Sequence, residues 1–304
     1  MNAPATPSPS PLRVWIMATR PATLTVALAP VMVGAAAAYH AVGSAGLRWG
    51  PLVAAALGAV LLQIGANLAN DVFDYEKGAD TAERLGPTRV TQAGLLSPRA
   101  VRAGMVLCFV GATLAGVFLT AAAGWPVVVI GVASIASAVA YTGGPYPLGY
   151  NGLGDVFVFV FFGVVAVCGT AWVSAGVLPG LALVASVPVG ALATAVLVVN
   201  NTRDHATDVK AGKRTVVVRF GRGFGVGQYA ACWAVAALVP LGVAVWLGSL
   251  WPLLALVTLP VGVLLALRVA RVEGRGLNPV LGATAATLFV YGALFAAGLA
   301  LGRG

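Results

Sequence analysis

The chain predicts an all-α, polytopic membrane protein with nine transmembrane helices around a central cavity, and three observations point there. Of its 304 residues, 60% are hydrophobic and only 9% charged, with a mean hydropathy of +0.94, whereas a soluble domain carries about 25% charged residues. Apolar stretches long enough to cross a bilayer, roughly 20 residues, recur along the whole length. The cations alternate between connections as the positive-inside rule requires.

Nine spans are read near 22–42, 50–70, 101–123, 125–141, 153–174, 180–200, 226–247, 250–270 and 280–301. The seams around 124 and 249 are short Gly-Trp-Pro and Ser-Leu-Trp-Pro turns, so counts of eight or ten stay open. With the N-terminus inside, every cation except Arg48 and Arg303 falls on the cytoplasmic side, and so does every acid. The net charge of +9 therefore orients the chain in a cell membrane and is no nucleic-acid footprint. Residues 1–11 are Pro-rich and read as disordered; residues 12–304 form one transmembrane domain, since no connection is large enough to fold alone. The first span is too long for a removed signal peptide. Cys108, Cys168 and Cys232 lie within spans without a CxxC pattern, which supports neither a zinc site nor a disulfide framework.

Ionisable residues at the membrane border are costly and mark functional sites by default. Asn67, Asp71 and Asp74 recur at helical spacing at the end of the second span, followed by Asp80; Asn200, Asp204 and Asp208 do so at the end of the sixth. Residues three or four apart share one helix face, so each cluster presents an amide and two carboxylates as a stripe. Mg²⁺ takes one or two carboxylates together with substrate phosphate oxygens, and two facing stripes would clamp such ions about a diphosphate. Helix-end solvation with ion pairs to Lys77 or Arg203 is the alternative.

Lys77, Arg84, Arg203, Lys210, Lys213 and Arg214 stand near the acids; fixed cations stabilise a departing diphosphate, although the positive-inside rule alone accounts for most of them. The connection Tyr141 to Asp155 is dense in Gly and Pro. Asp155 opens the next helix, where the dipole favours a carboxylate. Tyr141, Tyr146 and Tyr150 could wall a cavity or sit as interface-belt aromatics. Gly221–Gly227 imitates a nucleotide loop, but no strand precedes it. His40 and His205 lack partners for a metal or triad.

These residues resemble a known group. Arg20-Pro-Ala-Thr-Leu24, Asn67-Leu-Ala-Asn-Asp-Val-Phe-Asp74, Gly86-Pro-Thr-Arg89, Gly143-Gly-Pro-Tyr-Pro147 and Asn200-Asn-Thr-Arg-Asp204 through Ala211-Gly-Lys-Arg-Thr215 are similar to stretches of the UbiA superfamily of intramembrane aromatic prenyltransferases. Within it they most resemble the 1,4-dihydroxy-2-naphthoate polyprenyltransferase branch. The resemblance implies a nine-helix bundle capped by two inner loops. It implies Mg²⁺ and the diphosphate held by Asp71, Asp74, Asp204 and Asp208, with Asn67 and Asn200 in support; Asn70 is a substrate-binding candidate. Lys77, Arg203, Lys210, Tyr141 and Tyr146 are the further substrate-binding candidates, and Asp155 or Asp80 a candidate proton acceptor. Asp80 follows Asp74 by six residues where the superfamily commonly has four, which puts its ligand role in question. The implied reaction joins a polyprenyl diphosphate to 1,4-dihydroxy-2-naphthoate with loss of diphosphate and CO₂. Other aromatic acceptors, or an ion-coupled transporter using the same carboxylates, are the competing readings. One-sided acids and a parallel relation between the two stripes disfavour the transporter.

Overall fold

The computed structural model describes residues 9–78 and 84–303, and among them every regular element is helical. Asp80 thus lies outside the described residues. Helix α1 (Pro11–Thr19) is short; the Ser10 hydroxyl accepts from the Arg13 N–H, and Pro11 occupies the first turn, where no N–H is needed. Arg20 turns the chain, and α2 (Pro21–Gly46), α3 (Trp49–Glu76), α4 (Pro98–Ala123) and α5 (Pro126–Ala140) follow. Then come α6 (Gly154–Ala175), α7 (Gly180–Lys210), a single turn α8 (Val216–Phe220), α9 (Arg222–Leu247), α10 (Trp251–Arg271) and α11 (Gly274–Leu301).

Among the described residues, eight helices are long and apolar enough to cross a membrane. The ninth expected span is α5, which has 15 residues; at 1.5 Å per residue it measures about 22 Å, short of the roughly 30 Å hydrocarbon core. Leu107, Leu114, Val132, Val245 and Leu250 stand exposed on the outside of the bundle, an arrangement that a bilayer solvates and water does not. The protein is a multi-pass membrane protein. Two spans run further than their apolar stretch: α3 continues to Glu76 and α7 to Lys210. Both acidic stripes therefore ride on the last turns of continuous helices.

Small residues set the helix spacing, as expected where lipid leaves no hydrophobic drive between helices. A Cβ on Gly34 of α2 would lie 2.5 Å from the Val167 carbonyl oxygen of α6, and one on Gly163 would lie 2.7 Å from Gly190 Cα of α7. Between Phe159 and Val165, α6 winds as a π-helix, a widened turn that often marks functional sites. It turns Gly163 onto α7 while Phe161, Phe162 and Val165 face the central cavity. Helix α5 packs on α3 and α4 and has no such packing face on α6, so the space between α5 and α6 is left to the cavity.

Gly221 caps α9 and the remaining glycines of that run begin the helix, which removes the nucleotide-loop reading. The three cysteines are free.

Candidate functional site: a polar mouth on an apolar channel

A cavity of about 470 Å³ lies between α2 and α7, within the range of small-molecule sites. One mouth of it is polar and most of its wall is apolar. Asn67, Asn70 and Asp74 reach it from α3, and Asn200, Asp204 and Asp208 from α7, with Arg20, Arg84, Arg89 and Lys213 among them. Two segments far apart in the chain, each the C-terminal end of a long helix, meet at one opening.

The first stripe divides its labour. Asn67 donates to the Thr19 carbonyl (3.0 Å) and to Thr23 Oγ1 (2.8 Å), tying α3 to the junction of α1 and α2. Asn70 Oδ1 accepts from Thr142 Oγ1 at 3.0 Å. Asp74 accepts from Arg89 Nη2 at 2.7 Å and from the Tyr150 hydroxyl at 2.5 Å. Asp71 does not line the cavity. It is buried, and its two oxygens accept from the backbone N–H groups of Val90 (3.1 Å) and Thr91 (3.0 Å). In this structure the expected metal ligand is a loop anchor, and the loop it holds carries Arg89 onto Asp74.

On the second stripe Arg203 is the organiser. Only 2% exposed, it grips Asp204 through Nε (2.8 Å) and Nη2 (2.6 Å) and donates to Asn200 Oδ1 (2.8 Å) and Asn278 Oδ1 (3.0 Å). This fork geometry suits a guanidinium and no other side chain. Gly86 of the connection between α3 and α4 lies against it: a Cβ there would stand 2.8 Å from Arg203 Nη2. The Leu85 carbonyl accepts from Asn278 Nδ2 at 2.8 Å, so loop, α7 and α11 are fastened together. Asp208 pairs with Lys213 at 3.6 Å and lies near enough to Asp204 and Asp74 to feel both charges. The Lys213 and Lys77 ammonium groups stand over the Tyr150 ring, 4.6 and 5.3 Å from its centroid, a cation–π arrangement.

Arg20 is the one described non-glycine residue with positive φ, at 52°. A left-handed side-chain-bearing residue costs on the order of 1–3 kcal/mol and clusters at functional sites. Burial, with Arg89 and Arg84 alongside, pushes its guanidinium down from the ordinary value. A cation held among cations has an evident use once an anion enters. Tyr141 stands on the cavity wall.

Several expected residues sit elsewhere. Asp155 opens α6, buried and off the cavity wall, with the Gln228 side chain nearby. Tyr146 is 60% exposed. Lys77 donates to the Thr142 (2.7 Å) and Gly144 (3.1 Å) carbonyls and steadies that connection. Lys210 is exposed at the end of α7, and Arg203 works from behind the wall. Arg20, Arg89, Lys213 and Tyr150 line the mouth, although spacing alone does not single them out as leading candidates. The Arg20-Pro pair and the Gly86–Arg89 stretch are visible as motifs; their inward direction is not.

Among the described residues no three His, Cys, Asp or Glu side chains form a ready cage for a metal. The oxygens at the mouth instead suit a metal that takes one or two carboxylates and completes its shell with phosphate oxygens and water, as Mg²⁺ does.

Comparison with known proteins agrees with this architecture. The model of the UbiA prenyltransferase family matches residues 27–278. The 1,4-dihydroxy-2-naphthoate octaprenyltransferase of Mycobacterium tuberculosis is 38% identical over 296 residues, 95% of this chain and 97% of the relative. Its Escherichia coli counterpart of the same name is 37% identical over 88% of this chain and 87% of its own. Among solved structures, a UbiA homolog from Aeropyrum pernix superposes with a TM-score of 0.69 at 16% identity, covering 89% of this chain and 96% of that one. A homolog from Archaeoglobus fulgidus, bound to GPP and Mg²⁺, gives 0.58 at 14% identity, covering 93% and 99%. The structures show the shared fold, and the sequence match settles membership: the chain belongs to the UbiA prenyltransferase family.

Proposed function

We propose that the protein transfers a polyprenyl group from polyprenyl diphosphate to 1,4-dihydroxy-2-naphthoate, releasing diphosphate and CO₂ and giving demethylmenaquinol, a step of menaquinone biosynthesis. The observation that carries this reading is one continuous cavity with a cation- and carboxylate-lined mouth and an apolar body, which matches a donor that is dianionic or more at one end and hydrocarbon at the other. The relatives named above supply the acceptor.

Asp74, Asp204 and Asp208 would hold Mg²⁺, which neutralises charge on the diphosphate as it leaves. Arg20, Arg84 and Lys213 receive and orient the diphosphate oxygens, and their fixed charge stabilises the developing anion without reorganisation. Arg203 and Asp71 act one step behind, holding Asp204 and the Arg89 loop in place. Phe157, Phe161 and Phe162 wall the space beyond the mouth and keep water from the allylic cation. The C–O bond of the donor breaks, the electron-rich ring carbon bearing the carboxylate forms the new C–C bond, and CO₂ departs from that carbon. The charge asymmetry of the connections supports a cytoplasmic N-terminus and mouth in the cell membrane, with Arg303 bonded to the Tyr39 carbonyl at the opposite end.

Mass spectrometry of products tests this reading. Purified protein receives one polyprenyl diphosphate, Mg²⁺ and, in parallel, 1,4-dihydroxy-2-naphthoate, 4-hydroxybenzoate or homogentisate. A decarboxylated prenyl-naphthalenediol from the first acceptor is the expected result. Preference for another acceptor overturns the assignment within the family.

A further inference from the structure

The cavity is far longer than a diphosphate and an aromatic ring require. Its wall on α3 runs from Asp74 at the mouth to Ala55; nineteen residues at 1.5 Å each span about 28 Å, nearly the thickness of the roughly 30 Å hydrocarbon core. At the outer half of this wall stand Gly116 of α4, Gly131 of α5 and Gly169 of α6. Each lies mid-helix, where glycine costs about 1 kcal/mol relative to alanine. Packing does not explain that cost, because a Cβ at any of the three would meet nothing within 4 Å. Gly34 and Gly163 are the contrast: there a Cβ would strike another segment's backbone at 2.5 and 2.7 Å. What the three wall glycines leave free is the cavity itself.

We infer that Gly116, Gly131 and Gly169 determine which donors the protein accepts. They keep the outer half of the channel open, so a polyprenyl tail of many isoprene units can be buried along it. The inference rests on the proposed transferase reading and adds the residues that set tail length. A side chain at any of the three would occupy the space of the far isoprene units. The mouth, at the opposite end of α3, would be left untouched.

The test uses Gly116→Leu, Gly131→Leu and Gly169→Leu in the full chain. Leucine is a strong helix former, so these changes favour the helices they enter. Gly242→Leu is the control, since Gly242 of α9 also has nothing within 4 Å of its Cβ and lies off the cavity wall. Transfer to 1,4-dihydroxy-2-naphthoate is measured with geranyl diphosphate and with octaprenyl diphosphate. The expected result is unchanged kcat/KM with the short donor and a fall of about tenfold or more with the long one, since leaving even two tail carbons unburied is worth that much. Gly242→Leu changes neither. An equal fall with both donors, or full activity with the long donor in all three variants, overturns the inference while leaving the transferase reading intact. Absence of transfer by the unsubstituted protein with both donors overturns the transferase reading, and this inference with it.

Discussion

Asp71→Ala separates two roles that a sequence motif merges. Both Asp71 oxygens accept from backbone N–H groups of a buried loop, at 3.1 Å from Val90 and 3.0 Å from Thr91, and Val90 and Thr91 are 1% and 4% exposed. Removing the carboxylate leaves two buried donors without partners, and each costs about 1–3 kcal/mol. Partial hydration of the loosened loop offsets some of that, so opening of the loop becomes easier by about 3 kcal/mol, or roughly a hundredfold in its equilibrium. Hydrogen exchange followed by mass spectrometry, on protein without metal or substrate, reads this directly. Peptides covering Val90 and Thr91 should exchange about two orders of magnitude faster, while α9 exchanges as before. Turnover should fall with it, because Arg89 leaves Asp74 when the loop detaches. Lost turnover with unchanged exchange at Val90 and Thr91 would refute the anchoring role.

Arg203→Leu breaks a buried pair and frees two amide oxygens; thermal unfolding should report a loss of about 3 kcal/mol, and wild-type stability would show that the Asp204 clamp is decorative. Arg20→Gly suits the left-handed backbone but removes the guanidinium, so stability should hold while KM for the prenyl diphosphate rises about tenfold or more, the worth of a hydrogen bond to a charged group; an unchanged KM would remove Arg20 from the anion site. Gly34→Leu drives a side chain into the Val167 carbonyl and the Thr170 side chain, and the melting temperature should drop by several degrees as α2 and α6 part, in contrast to leucine at the channel glycines.

The bundle was legible because apolar length, cation asymmetry and Trp-Pro seams are each direct readouts of a bilayer. Even the short α5 was expected as a span, though its shortness was not. The stripes were legible through helical spacing: Asn67, Asp74, Asn200, Asp204 and Asp208 all reach one mouth, where Asn70, which spacing did not single out, joins them. Spacing reports which helix face a residue occupies but not what opposes it. Asp71 shares that face by period, yet a returning loop captures its oxygens, and no local pattern announces a loop that comes back from further down the chain. Asp155 has the right position for a helix start, but its direction, toward Gln228 on the distant helix α9, is a tertiary fact. Arg20 is the converse case. Its placement depends on a left-handed junction between two helices, which the Arg-Pro pair permits without requiring.

Binding of Mn²⁺ as a spectroscopic substitute for Mg²⁺ tests most directly whether the two helix ends share one ligand. Electron paramagnetic resonance would follow Mn²⁺ uptake by the purified protein with and without a non-reacting diphosphate analogue, for the unsubstituted chain, Asp74→Asn and Asp204→Asn. Uptake that depends on the analogue, and that either substitution abolishes, is the predicted result; chelation should then also stop turnover. Uptake indifferent to the analogue, or lost in one variant and retained in full by the other, would mean that the α3 and α7 carboxylates serve separate purposes.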